Sequence, residues 1–107
     1  MAEIKAFDVD KWIKDFKKRL YEKYKPEKII IFGSRARKDN LIESDIDFVI
    51  VSKMFEGMKW PRRLAAVSEL WKGLIAIEPL CYTPKEFDIK KRQLGIVNRA
   101  VEEGVEI

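Results

Sequence analysis

Residues 29–51 read IIIFGSRARKDNLIESDIDFVIV: an apolar strand ending at Phe32, a Gly33-Ser34 bend, ten intervening residues, then Asp45-Ile46-Asp47 opening a second apolar strand. Aspartates two apart on a strand project to the same face with their Cα atoms roughly 7 Å apart. Carboxylates so placed converge on hard divalent cations, which take oxygen ligands. Strands disfavour aspartate, so two acids on one face argue for ligation rather than for solvated residues at a strand entrance. Gly33 has no side chain to keep a ligand away from the backbone N–H groups, and the Ser34 hydroxyl both donates and accepts, a combination suited to phosphate oxygens. Together these residues describe a site for a metal-bound nucleoside triphosphate.

Working outward, Lys28 to Phe32 is nearly all apolar and rich in β-branched residues, as in a central strand covered on both sides. Before it, Val9, Trp12, Ile13, Phe16, Leu20 and Tyr24 recur at helical spacing after an Asp8 or Asp10 cap, and Pro26 ends the pattern. Residues 33–44 are expected to form a short helix and loop. Asp45 to Ser52 reads as the second strand, with Asp45, Asp47, Val49 and Val51 on one face. Pro61 suits the first turn of a helix carrying Leu64, Val67, Trp71 and Leu74, with Gly73 near its end. Leu74 to Tyr82 reads as a third strand holding Glu78, and Pro79 puts that strand at an edge or a bulge. Thr83-Pro84-Lys85-Glu86 is a capping box that starts a helix, which Gly95 breaks and Gly104 terminates. The expected fold is α/β (α+β): one domain over residues 1–107, its short mixed sheet of three to four strands backed on one side by helices.

Composition narrows the chemistry. The chain has 107 residues, 47% of them apolar, enough for one core but with little room for a module that selects a second substrate. No apolar run has the length of a membrane span or a signal peptide, so a cytoplasmic location is expected. One cysteine, Cys81, excludes an internal disulfide and reads as a small buried hydrophobe; the absence of histidine excludes Cys/His zinc sites and every Ser-His-Asp arrangement. Proton transfer therefore falls to a carboxylate, lysine, tyrosine or water. The net charge is +4, but the 22 basic and 18 acidic residues are interspersed, which reads as a solvated mixed-charge surface and argues against direct nucleic-acid binding. The three tryptophans, Trp12, Trp60 and Trp71, read as core residues, with base stacking by Trp60 an alternative.

The segment Ile29 to Val51 resembles the nucleotidyltransferase superfamily that includes polymerase-β-like enzymes, and within it the small stand-alone minimal nucleotidyltransferases, on the pattern Gly-Ser, ten residues, Asp-x-Asp and the wording GSRAR and SDIDFVIV. Lys38 departs from the glycine common after GSRAR, which bears on the loop and not on the acids. The resemblance implies the nucleotidyltransferase fold, ATP as donor and two Mg²⁺ ions held by Asp45, Asp47 and a third carboxylate, for which Glu78 on the neighbouring strand is the candidate. It implies that Glu78 also deprotonates the acceptor hydroxyl. Gly33 and Ser34 would bind the nucleotide; Arg35 and Arg37 either neutralise phosphate charge or pair structurally with the acids.

The resemblance also supplies an acceptor. Minimal nucleotidyltransferases are often paired with a helical HEPN protein, an RNA-cleaving toxin, and can adenylylate a tyrosine of it. The implied reaction is transfer of AMP from ATP to a hydroxyl of such a partner, with release of pyrophosphate. Two alternatives stand beside it: a non-catalytic antitoxin that occludes its partner, and the catalytic half of a two-chain small-molecule nucleotidyltransferase. An apolar face on the last helices could dock the partner or pair copies of the chain as a homo-oligomer.

Overall fold

The periodic apolar residues of the first segment form α1 (Ala6–Lys23), which buries Val9, Phe16 and Leu20 along one side. Lys25 closes it with a left-handed φ of 45°, the usual way a helix reverses into the next segment. The computed structural model describes residues 6–32 and 45–107. Four strands follow: β1 (Lys28–Phe32), β2 (Ile46–Val51), β3 (Ile77–Tyr82) and β4 (Val105–Glu106). Their order across the sheet is β3-β2-β1-β4, with β1 antiparallel to both β2 and β4 and β3 parallel to β2. A single 3₁₀ turn (Lys53–Phe55) and α2 (Trp60–Ser68) make the crossover between the parallel strands. The chain continues from β3 into α3 (Pro84–Lys90), α4 (Ile96–Glu103) and β4.

Strand alternation divides the core in two. On β2, Ile46, Phe48 and Ile50 face α1 and α2, packing with Phe16, Leu20 and Val67. Val49 and Val51 face the other way, against Phe87 of α3 and Val97 and Ala100 of α4. Helices therefore cover both faces, where the sequence suggested one, because α3 and α4 fold back over the sheet instead of extending past it. The first core is aromatic: Phe16 meets Phe48 edge-on at 5.1 Å and Trp71 at 5.4 Å, contacts each adding about 0.5–1.5 kcal/mol beyond burial. Ser52 joins its ends, donating from Oγ to the Tyr24 carbonyl at 2.5 Å and accepting from the Met54 N–H.

Two further expectations need correction. The second helix does not run on to Leu74 but ends at Ser68, so Leu64 (41% exposed) and Leu74 (77%) are surface residues and the core side of α2 carries Arg63 and Val67. Trp71 still reaches the core from the turns beyond the helix, its indole N–H bonded to the Ile75 carbonyl at 2.7 Å. The third strand begins at Ile77 rather than Leu74. Its place at the sheet edge is as Pro79 indicates. The carbonyls of Ala76 and Tyr82 bond toward β2, so Ile77, Pro79 and Cys81 turn their backbones outward. Pro79 offers no donor there, and the Cys81 carbonyl is taken by Arg63 at 3.1 Å, so this edge is poorly suited to pairing with another strand.

Gly104 is fixed by space. A Cβ at this position would press on the carbonyl oxygens of Ala100 and Ile31 and sit 2.5 Å from Ile30 Cγ2. Gly104→Ala should therefore push α4 and β4 off β1 and lower stability by about 1–3 kcal/mol, read from the urea midpoint. Among the described residues, no helix is long and apolar enough to cross a membrane.

Candidate active site

Three residues lie side by side across β1, β2 and β3: Phe32 pairs with Asp47, and Asp47 with Glu78. Paired residues on neighbouring strands point to the same face, and the strands are about 4.8 Å apart, so the two carboxylates are brought together by register alone. Their carboxyl groups stand close enough to act on each other. The Asp47 carboxyl is pushed up to about 6, first by burial, then by hydrogen bonding with Glu78, then by the charges of Glu78 and Asp45. Phe32, buried on the other flank of Asp47, keeps one side of it apolar.

This face of the sheet is covered at its far end, where Val49 and Val51 are buried, and open where the acids stand. Asp47 is half-buried, Glu78 is exposed, and Asp45 lies exposed just ahead of β2, near enough for its charge to act on Asp47. Asp47 and Glu78 thus stand side by side, while Asp45 acts on Asp47 through its charge. Among the described residues no three acids stand close enough together to hold a metal ion between them. The donor set nevertheless suits a hard cation: it is all oxygen, and the repulsion between two crowded carboxylates is what a divalent ion would relieve. Gly33, Ser34, Arg35 and Arg37, like the expected helix and loop over residues 33–44, lie outside the described residues.

Two features escaped the sequence reading. Phe32 as the apolar flank of Asp47 follows only from the β1–β2 register. Arg63, beside the opposite end of β3 from the acids, is buried although nothing in the pattern of α2 marks it. It donates from Nε to the Met58 carbonyl at 2.8 Å and forms a two-pronged bridge to Glu86, at 2.6 and 3.3 Å. That bond is the leading cause holding the Glu86 carboxyl below its ordinary range, with partial burial working against it. The capping box was legible: Thr83 accepts from the Glu86 N–H and Glu86 accepts from the Thr83 N–H.

A family model described as "Nucleotidyltransferase domain" matches residues 13–106. The chain belongs to the nucleotidyltransferase domain family. Domains of this family use divalent metals, in keeping with the all-oxygen donor set. A solved structure described as a nucleotidyltransferase from Sulfolobus solfataricus is similar over 99% of this chain and 89% of its own, at 26% identity and a TM-score of 0.59. The BolA1 protein of Arabidopsis thaliana is similar over 70% of this nucleotidyltransferase domain and 94% of its own chain, at 26% identity and a TM-score of 0.57. The BolA domain of SufE1 from the same plant shares the fold alone, at 18% identity over 78% of this chain and 99% of its own, with a TM-score of 0.54. No curated protein matches the sequence.

Proposed function

We propose that this nucleotidyltransferase domain transfers AMP from ATP to a hydroxyl of a partner protein in the cytoplasm, releasing pyrophosphate. The observation that carries the reaction class is the Asp47–Glu78 pair, two like-charged groups on adjacent strands at the open end of the sheet, within the family match. Asp45, Asp47 and Glu78 would hold Mg²⁺, two ions on the family pattern, which supplies neutralisation of phosphate charge and lowers the pKa of a bound hydroxyl. Gly33 and Ser34, with Arg35 and Arg37, would seat the triphosphate. Glu78, being exposed, is reachable by an incoming acceptor and takes its proton. The acceptor oxygen then bonds to the α-phosphorus as the bond to the bridging oxygen breaks, and pyrophosphate leaves. The protein's contribution is alignment and charge complementarity more than covalent chemistry.

The acceptor reading rests on the resemblance to minimal nucleotidyltransferases, in which this chain would serve as antitoxin to a helical HEPN ribonuclease. Co-expression with such a partner, followed by intact-mass measurement, tests it: the partner should gain the mass of one or more AMP groups, and the gain should disappear when Asp45 is replaced by asparagine. An unmodified partner in the presence of folded wild-type protein and Mg-ATP would defeat it.

A further inference from the structure

At the opposite end of β3 from Glu78, Trp60 leans on Tyr82 with ring centroids 5.2 Å apart and keeps 41% of its surface exposed. Tyr82 lies four residue steps along the strand from Glu78, about 13 Å, so this feature is distinct from the carboxylate site. The two rings wall a hollow of about 280 Å³ closed by Glu86 and Lys90. A second hollow, of about 120 Å³, adjoins it across Tyr82 and Lys90 and is edged by Gln93 and Ile96. The first is at the small end of ligand pockets, so it accepts one ring system rather than a large molecule.

The charges around these hollows are lopsided once ion pairs are removed. Glu86 is spent on Arg63 at 2.6 Å, and Asp88 on Lys91 and Arg92 at 3.2 and 3.0 Å. Lys59 and Arg62 flank Trp60 in the chain, and Lys90 lines both hollows; all three are exposed and have no ion-pair partner among the described residues. Glu56 and Lys85, both exposed, line a different hollow beside Arg63, so neither counts here. An aromatic face open to solvent, a second ring-sized recess beside it and cations left unneutralised are what successive bases and phosphates of a single strand require: the bases stack, and the phosphates meet the lysines. A neutral ligand leaves the cations unused, an acidic ligand without rings leaves the aromatic face unused, and a duplex has no free base faces to offer.

From this juxtaposition we infer that the Trp60–Tyr82 hollow and its basic surround bind a single-stranded polynucleotide, one base lying on Trp60 and the strand continuing past Lys90. The interspersed charges of the sequence pointed away from such a surface; Asp88 is paired off within its own helical segment, and folding pairs off Glu86 with Arg63.

Fluorescence anisotropy with a fluorescein-labelled oligoadenylate tests the inference. The wild-type chain should bind it more tightly than a duplex of equal length, with affinity falling as salt rises between about 50 and 200 mM. Trp60→Ala should weaken binding about tenfold, Trp60→Phe much less, and Lys90→Gln should reduce the salt slope by about one. Trp60 is exposed at a helix start, and a thermal melt of each variant verifies that it is folded. Unchanged affinity in folded Trp60→Ala, or a duplex held as tightly as the single strand, overturns the site. Wild-type protein that binds the strand yet modifies no partner keeps this site while the proposed reaction fails; protein that transfers AMP yet binds no strand does the reverse.

Discussion

Replacing Asp47 by asparagine should abolish nucleotidyl transfer and, in metal-free buffer at neutral pH, make the protein more stable. The loss of activity follows from removing one of the acids that meet at the open end of the sheet, with an expected cost of about 10²- to 10⁴-fold in rate. The gain in stability follows from the same crowding. The Asp47 carboxyl is raised from 3.8 to about 6 by burial and by Glu78, so the folded state holds its proton more tightly than the unfolded chain does. A raised carboxyl contributes most below the unfolded value of 3.8, and that contribution is lost as pH climbs through about 6. At pH 7.5 the ionised Asp47 therefore costs stability, about 1–2 kcal/mol once discounted for the half-open site. Asparagine keeps the shape and removes the charge. Thermal melts in EDTA should show the variant about 5 °C above wild type at pH 7.5 and level with it near pH 4. Added Mg²⁺ should raise the wild-type melt and leave the variant unmoved. A variant no more stable than wild type at pH 7.5 would mean that Asp47 and Glu78 do not crowd each other.

The largest loss of stability expected from a single charged residue is at Arg63. Its side chain is 7% exposed and ties three segments together: the Met58 carbonyl before α2, the Cys81 carbonyl on the edge of β3 and the Glu86 carboxylate at the start of α3. Its guanidinium also lies 5.9 Å from the Phe55 ring centre. Arg63→Ala leaves buried carbonyls without donors and opens space beside Phe55, for a cost of about 2–4 kcal/mol; the half-exposed Glu86 can turn to water, which keeps the figure below that of a fully buried pair. Arg63→Met retains the stem's packing and should recover part of this. Glu86→Gln should cost only about 1 kcal/mol, because an amide still accepts from Arg63 and from the Thr83 N–H. The pH dependence has the opposite sign to that of Asp47: Glu86 is held below its ordinary 4.5, so its contribution is full at neutral pH and is lost as acid protonates it below that value. Urea midpoints at pH 7 and near pH 3 measure both effects. An Arg63→Ala midpoint equal to wild type would show that the edge of β3 needs no such clasp.

Much of the fold was written locally. β1 was legible to the residue because an unbroken β-branched run between Pro26 and Gly33 has no other comfortable conformation, and the capping box placed α3 because its hydrogen bonds join residues three apart. α2 was misjudged at its end, where Trp71 keeps helical spacing in sequence but reaches the core from a turn; periodicity cannot distinguish the two routes to burial. β4 was not placed as a strand, since two residues carry no pattern and pair with β1 only because Gly104 lets α4 turn in close.

The candidate site divides in the same way. By itself the sequence determined which chemistry is open to the protein: without histidine, and with Asp45 and Asp47 on one face of a strand after a glycine-serine bend, oxygen ligands remain for a metal, and proton transfer falls to a carboxylate, lysine, tyrosine or water. Tertiary structure decided that Glu78, thirty-one residues beyond Asp47, stands against it, since register between parallel strands is fixed by how two apolar faces pack and not by any spacing along the chain. It also decided which charges are left to act, because Arg63 and Glu86, twenty-three residues apart, find each other only after the helices have folded over the sheet.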